Sequence, residues 1–358
     1  MSTNVYNVIG LMSGTSLDGL DIAYCRFHKT KERWNYEIVA ADTCPYTDEW
    51  RERLSTLEKS NAWEYVKTNV DLGHYFGKKV VAFMTRHNIQ HTDIDFIASH
   101  GHTIFHQPES GVTTQIAEPN AIASETRIPV VADFRTLDVS LGGQGAPLVP
   151  IGDSLLFGDY DSCLNLGGIA NISFLEKGKR VAFDISPCNM ILNYLAQKTN
   201  MPYDKGGTMA KCGKPYFNLL EKLNRLEYYS LPHPKSLGKE WFMGNFKQLF
   251  DNTNADLHDL LATAVEHISF QIAKTFNDNA IRNSLVTGGG AFNSFLIENI
   301  RKKTDCIITI PNSIVVSYKE ALVFAFLGVL RMRGESNCLS SVTGARYSNC
   351  GGIVSGTF

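Results

Sequence analysis

The sequence predicts an α/β protein of two lobes, each a mixed sheet flanked by helices. Three observations carry that expectation. Short apolar strand runs alternate with helical runs in both halves of the chain. A glycine-rich turn sits between two short apolar runs in each half. The length, 358 residues, is enough for two domains. The first turn is Gly10-Leu11-Met12-Ser13-Gly14-Thr15-Ser16-Leu17-Asp18-Gly19-Leu20-Asp21, between Val8-Ile9 and Ile22-Ala23-Tyr24. The second is Asn165-Leu166-Gly167-Gly168-Ile169-Ala170-Asn171, between Cys163-Leu164 and Ile172-Ser173-Phe174. Strand, glycine turn and returning strand is the simplest reading of both. Glycine also lets backbone N–H groups come close to a ligand. Two such hairpins, one per half, suggest two lobes gripping one polyphosphate, and so phosphoryl transfer.

After the first hairpin, Tyr36 to Ala41 reads as a third strand. Residues 61–87 place Val66, Val70, Gly73, Gly77, Val80 and Met84 at helical spacing. Asp95 to Ser99 reads as a buried strand ending in His100-Gly101-His102, and Ile128 to Ala132 as another ending at Asp133-Phe134-Arg135. Leu141-Gly142-Gly143-Gln144-Gly145-Ala146-Pro147 breaks regular structure, and the lobe boundary is expected near it. In the second half, Arg180 to Phe183 is a strand ending at Asp184. Residues 256–276 form a helix for which Asn254 or Asp256 is the candidate cap. Ser284 to Thr287 runs into Gly288-Gly289-Gly290 and a helix from about Phe292 to Lys302. Cys306 to Ile310 is a strand, and residues 318–333 form a last apolar helix.

The net charge of −2 leaves no electrostatic footprint for nucleic acid or an anionic membrane. Lys29-Thr30-Lys31-Glu32-Arg33 reads as a solvated turn between strands. No signal peptide is expected, and the apolar stretch Ala321 to Leu330 is too short to cross a bilayer. Eight scattered cysteines without a CxxC pair point to a reduced, cytoplasmic protein.

The first turn carries Ser13, Thr15, Ser16, Asp18 and Asp21. Hydroxyls and N–H groups suit phosphate oxygens, and carboxylates suit a Mg²⁺ held through water. The alternative is an Asp-Gly hairpin tip with capping hydroxyls. Gly288-Gly289-Gly290, between strand and helix, suits close approach of a nucleoside or phosphate; a tight turn would need one glycine. Asp184 fits a general base at a strand end, although spacing alone favours a helix N-cap. His100, His102 and His106 share one strand parity, which raises zinc, but no further ligand follows at the right spacing and a hydrogen-bonding sugar contact fits better. Arg135 either clamps a substrate carboxylate or braces the glycine loop through Asp133 or Asp138.

These residues resemble those of the anhydro-N-acetylmuramic acid kinases, of the sugar kinase–Hsp70–actin fold, nearly end to end. The resemblance runs through the Gly10 to Asp21 turn, Ser99-His100-Gly101, Asp133-Phe134-Arg135, Gly142 to Pro150, Asn165 to Asn171, Gly288 to Gly290, Lys319-Glu320-Ala321 and Thr343-Gly344-Ala345. It implies a two-lobed actin-like ATPase fold with a central cleft. The first lobe would comprise residues 1–135 plus about 340–358, and the second residues 136–339. It implies a hydrolytic kinase that uses ATP and Mg²⁺ to convert 1,6-anhydro-N-acetylmuramic acid to the 6-phosphate in cell-wall recycling. By analogy Asp184 is the catalytic base. ATP would be held by Gly14, Thr15, Ser16, Leu17, Asp18, Gly19, Leu20, Asp21, Gly167, Gly168, Gly288, Gly289 and Gly290, with Asp18 facing the metal through water. Ser13, His100, Arg135, Gln144, Gly145 and Glu320 would border the sugar. A homodimer is implied as well. The alternatives are another amino-sugar kinase or an ATP-binding regulator without sugar turnover. The chain departs from the family pattern at Phe183-Asp184-Ile185-Ser186-Pro187-Cys188-Asn189, where the family has Phe-Asp-Thr-Gly-Pro-Gly-Asn. It also departs at His102 (Gln), Leu237 (Thr) and Lys239 (Arg).

Overall fold

Two compact units make up the computed structural model, which describes residues 4–31 and 33–356. One comprises Met1–Leu156 with Tyr318–Phe358, the other Phe157–Ser317. The first boundary therefore falls later than the expected 135/136, and the return earlier than about 340. The glycine loop after Arg135 is tied to the C-terminal segment, because Thr343, Asn349 and Cys338 all hydrogen-bond to buried Asp138. The apolar helix Ser313–Met332 packs on the first strand, where a Cβ at Gly10 would lie 2.0 Å from the Ala321 carbonyl oxygen. The glycine loop and the helix from Tyr318 onward thus belong to the first unit.

In that unit β1 (Val5–Ser13), β2 (Gly19–Lys29) and β3 (Trp34–Pro45) form an antiparallel meander. β4 (Phe96–Gln107) lies parallel to β1, and β6 (Val130–Ala132) parallel to β4. β5 (Val112–Ile116) folds back on the far half of β4, and β12 (Ile353–Ser355) closes the edge antiparallel to β6. The expected strand at residues 95–99 thus continues through all three histidines. The helix Ala62–Arg86 starts where the Asn61 side chain accepts from the Glu64 N–H at 2.9 Å. Its apolar face puts Leu72, Phe76, Val80 and Phe83 on the sheet with Ile9, Leu11, Ile22 and Ile97, all at most 1 % exposed. Burying each such side chain contributes about 1.5–3 kcal/mol. The turn between β2 and β3 is where expected, with Glu32 outside the described residues.

The second unit repeats the order. β7 (Ser162–Leu166), β8 (Ile169–Glu176) and β9 (Lys179–Pro187) form an antiparallel meander. β10 (Asn283–Thr287) is parallel to β7, and β11 (Ile307–Thr309) parallel to β10. The paths β3-β2-β1-β4-β6 and β9-β8-β7-β10-β11 are the same topology. Asp256, not Asn254, caps the helix Leu257–Asp278 by accepting from the His258 N–H at 2.8 Å. Leu261, Val265, Ile268 and Phe276 fill the core against Leu164, Ile172 and Val286.

The helix Ser313–Met332 is longer than the apolar stretch seen in the sequence. By length and composition it could cross a membrane, but 72 % of its apolar window is buried, as in a core helix. Tyr318 leaves helical geometry (φ −116°), and the unit boundary falls there.

Candidate functional site

Both glycine turns join the first and second strands of a meander, as the sequence predicts. In the first unit Ser13 pairs with Leu20 across the turn, and the Leu17 N–H donates to the Gly14 carbonyl at 3.2 Å. Thr15, Ser16 and Asp18 are exposed. Asp21 is half-buried and accepts from Thr43 Oγ1 at 2.6 Å; burial raises its pKa, and Asp18 adds to the rise. Ser13 does not present its hydroxyl. It is 1 % exposed and bonded to Tyr46 Oη (2.7 Å) and His102 Nδ1 (2.9 Å). Burial pushes the His102 pKa down to about 4, so the imidazole is neutral.

The three histidines part company despite their shared parity. Gly101 takes φ +76° and the β1–β4 register shifts beside it, which re-aims the side chains. His106 bonds Thr113, and among the described residues no three ligating side chains gather for a metal. His100 Nδ1–H donates to the Gly101 carbonyl at 3.0 Å, while Nε2 accepts from Arg135 Nε (3.2 Å) and Nη2 (2.9 Å). Burial first, then the Arg135 charge, hold the His100 pKa well below the usual range. Arg135 Nη1 donates to the Gly145 carbonyl at 2.6 Å. The Gly145 N–H in turn donates to Asp138 Oδ2 at 2.9 Å.

Arg135 therefore braces the loop through a carbonyl and pairs with neither Asp133 nor Asp138. Its bonds commit Nε–H and one N–H of each terminal nitrogen, leaving an N–H on each for an anion. Burial pushes the Arg135 pKa down to about 10, opposed by Glu320, so it stays charged. Glu320 is solvent-accessible, yet the protein packed around it raises its pKa, with Lys319 opposing. Lys319 is itself paired with Asp153 at 2.7 Å, both side chains at most 6 % exposed. Gln144 is exposed, with its N–H bound to the Thr343 carbonyl at 2.8 Å.

In the second unit Asp184 lies within β9 and caps no helix. Opposite it the β8–β9 register slips between Ala170 and Asn171. Residues 228–237, which the sequence does not link to Asp184, hold it in place. Tyr228 Oη donates to the Asp184 carbonyl at 2.6 Å, the Asp184 N–H donates to the Lys235 carbonyl at 3.3 Å, and the Leu237 N–H donates to Oδ2 at 2.8 Å. Oδ1 has no hydrogen-bond partner among the described residues. Lys235, the nearby cation, turns to the Tyr228 carbonyl at 3.1 Å and over its ring instead of pairing with the acid. Burial pushes the Asp184 pKa up to about 6, the Leu237 N–H opposing. Ile185 and Cys188, two of the departures from the family pattern, are fully enclosed (3 % and 0 % exposed).

The carbonyls of Gly167 and Gly168 accept from the N–H groups of Asn189 and Cys188, at 3.1 and 2.8 Å. The triple glycine packs on the end of β7. A Cβ at Gly288 (φ +81°) would meet Asn165 Oδ1 at 2.5 Å, and one at Gly290 would meet Leu166 Cβ at 2.7 Å. Packing thus explains two of the three glycines. Gly289 is exposed, with nothing closer than 3.6 Å to a Cβ. A 3₁₀ turn, Gly289–Phe292, comes first, so the helix starts only at Ser294, capped by Asn293.

The family model described as "Anhydro-N-acetylmuramic acid kinase" matches residues 6–355. Proteins of that name from Sulfurovum sp. and Aliivibrio fischeri are each 36 % identical over 96 % of this chain and 98 % of their own length. One from Vibrio cholerae is 36 % identical over 97 % of both. Among solved structures, a ROK hexokinase from Thermus thermophilus aligns loosely, at 9 % identity and TM-score 0.41 over 90 % of this chain and 99 % of its own.

Proposed function

Because the chain belongs to the anhydro-N-acetylmuramic acid kinase family, we propose that it is an ATP-dependent hydrolytic kinase of peptidoglycan recycling. It converts 1,6-anhydro-N-acetylmuramic acid to N-acetylmuramic acid 6-phosphate. The observation that carries the reading is Asp184: a carboxyl with, among the described residues, one oxygen uncommitted and no cationic partner, and a pKa raised to about 6. Such a group is ionised at neutral pH yet basic enough to take a proton from water. Asp184 Oδ1 takes that proton as the water oxygen bonds C1 of the sugar. The C1–O6 bond breaks, O6 keeps the electron pair and attacks the γ-phosphorus, and ADP leaves.

Arg135, held by His100 and Gly145, offers its two open N–H groups to the substrate's only carboxylate, and Glu320 accepts from the sugar's one free hydroxyl. Thr15, Ser16 and the turns at Gly167-Gly168 and Gly289 take the nucleotide. Exposed Asp18, with no ligand cluster around it among the described residues, suits a Mg²⁺ that keeps its water shell. When bound, that ion supplies charge neutralisation on the phosphates. The eight cysteines are all free, which fits a reduced, cytoplasmic enzyme; we take it to act as a homodimer. A coupled assay with ATP and the anhydro-sugar tests the reading, because ADP and a 6-phosphate must both appear. Run in ¹⁸O-water, ring opening puts the label at C1. A kinase acting on an open sugar leaves C1 unlabelled, and a regulator makes no phosphorylated sugar at all.

A further inference from the structure

The core of the second unit holds a histidine that takes no part in the chemistry of phosphoryl transfer. His267, on the helix Leu257–Asp278, has no exposed surface. Burial pushes its pKa down to about 3, so the ring is neutral and carries one N–H. Its partners decide which nitrogen bears it. Nδ1 lies 2.7 Å from Asn224 Oδ1, an oxygen that also accepts from Gln271 Nε2 at 3.1 Å. Nδ1 therefore donates, and Nε2 is left as an acceptor. Tyr229 Oη, 2.8 Å from Nε2, donates to it. Both ring nitrogens are thus committed inside the protein, and the imidazole has no atom to offer a substrate.

The tyrosine it fixes leads to the acid. Tyr229 stands edge-on to the imidazole at 4.9 Å and edge-on to Tyr228 at 5.7 Å. Tyr228 holds the Asp184 carbonyl through its hydroxyl at 2.6 Å, and its own carbonyl takes Lys235 Nζ at 3.1 Å. Tyr229 Oη also lies 3.3 Å from the oxygen of Ser186, two residues beyond Asp184 on β9 and one of the departures from the family pattern. The tyrosine pair therefore meets β9 at residues 184 and 186, on either side of buried Ile185. A donor fixed by a buried, single-tautomer acceptor has one orientation, and a linked polar network of this kind rigidifies what it joins.

We propose that His267 is a positioning residue for Asp184, acting through the Tyr229 hydroxyl to hold the Tyr228–Tyr229 pair, and with it residues 228–237, against the base. The proposal rests on the kinase reading of Asp184.

The test uses the whole chain. Tyr229→Phe deletes one hydroxyl and keeps the ring. It should lower kcat roughly tenfold or more while KM for ATP stays within about twofold, because slight misplacement of a reacting group is costly. His267→Gln, whose amide oxygen can accept from Tyr229, should keep most of kcat. His267→Leu offers no acceptor and should lose as much as Tyr229→Phe, and the double variant should lose no more than either alone. Hydrogen exchange over residues 228–237, read by mass spectrometry, should quicken roughly threefold to tenfold in Tyr229→Phe and His267→Leu but not in His267→Gln. Ile268→Val, a core change on the same helix, is the structural control: it should lower Tm and leave kcat and this exchange unchanged. Unchanged kcat in Tyr229→Phe, losses that add in the double variant, or a control that loses kcat as the others do overturns the proposal. Should His267→Leu fail to fold, Tyr229→Phe and the rescue by His267→Gln decide it. Exchange needs no turnover. A wild type that makes no ADP with the anhydro-sugar overturns the kinase reading, whereas unchanged exchange in Tyr229→Phe overturns the tie from His267 to the Asp184 segment.

Discussion

Replacing Asp184 with Asn should abolish turnover and at the same time stabilise the protein. The carboxyl is held at about 6 against an ordinary 3.8, so the native state binds its proton more readily than the unfolded chain by roughly two pH units. At about 1.4 kcal/mol per unit, the ionised acid costs the native state at most ~3 kcal/mol. Partial solvent access trims this to ~1–2 kcal/mol. The sign follows from the raised value. Below about pH 4 both states carry the proton and the cost is absent; it grows between about 4 and 6 and is complete above. The amide of Asp184→Asn carries no charge and still offers an oxygen to the Leu237 N–H. The variant should therefore melt ~4 °C above wild type at pH 8 and level with it at pH 4, given the usual Tm response of a unit this size. Circular-dichroism melts at both pH values, beside a coupled ADP assay, measure the two effects. An Asp184→Asn protein that melts no higher than wild type at pH 8, or whose advantage persists unchanged at pH 4, refutes the account of a destabilising, desolvated base. Near-wild-type turnover refutes its catalytic role.

Further outcomes follow from the same geometry. In wild type, kcat/KM should fall as pH drops through about 6, because a protonated Asp184 cannot take the proton of the attacking water; a pH–rate profile flat to pH 5 contradicts this. Arg135→Lys replaces a fork by a point charge. It should raise KM for the lactyl-bearing sugar about tenfold or more, with a smaller effect on an anhydro-sugar lacking the carboxylate, read by steady-state kinetics. Asp138→Asn puts an amide N–H₂ against either the Gly145 N–H or the cluster of Thr343, Asn349 and Cys338 donors. The loss should be about 1–3 kcal/mol in denaturant melts, with a raised sugar KM because the Gly145 carbonyl positions Arg135. Lys319→Met removes the cation paired with buried Asp153. The cost should be about 3–5 kcal/mol, and the double change with Asp153→Leu should recover most of it.

What the sequence made legible was local. The hairpin turns, the capped helix at Asp256 and the strand ahead of Gly288 rest on short-range chemistry: glycine between apolar runs, a capping carboxylate, a period of 3.6. What it hid was long-range. Parity put His100, His102 and His106 together, because parity assumes an unbroken strand, and the left-handed Gly101 breaks it. Spacing alone favours a helix cap at Asp184, because nothing near it in the chain reveals Tyr228, Lys235 and Leu237, which reach it from more than forty residues on. Asp138 looked like a partner for Arg135, yet the donors that claim it come from about two hundred residues away. Three adjacent glycines looked like three ligand contacts, and two are spent on packing against Leu166 and Asn165.

The repeated topology sets two acids at matching places and fixes them by different donors. Ser13 opposite Leu20 and Leu166 opposite Ala170 end the two inner hairpins, so Asp21 and Asn171, one residue further along the second strand, are equivalent. Their partners on the third strand, Thr43 and Asp184, are equivalent too. Each unit thus places one carboxylate at this strand pair, on opposite members of it. In the first unit the carboxylate is Asp21 and its neighbour is a hydroxyl, which donates to it at 2.6 Å and occupies an oxygen. In the second the carboxylate is Asp184 and its neighbour is Asn171; among the described residues no side chain bonds the carboxylate, and its one donor is a backbone N–H. A backbone donor fixes the position of the carboxyl without supplying a counter-charge, and so it leaves the basicity that burial confers. The same two-strand frame therefore sets an acid beside each glycine turn, one fixed by a side-chain hydroxyl and one by a backbone N–H, and among the described residues each keeps a second oxygen with no hydrogen-bond partner.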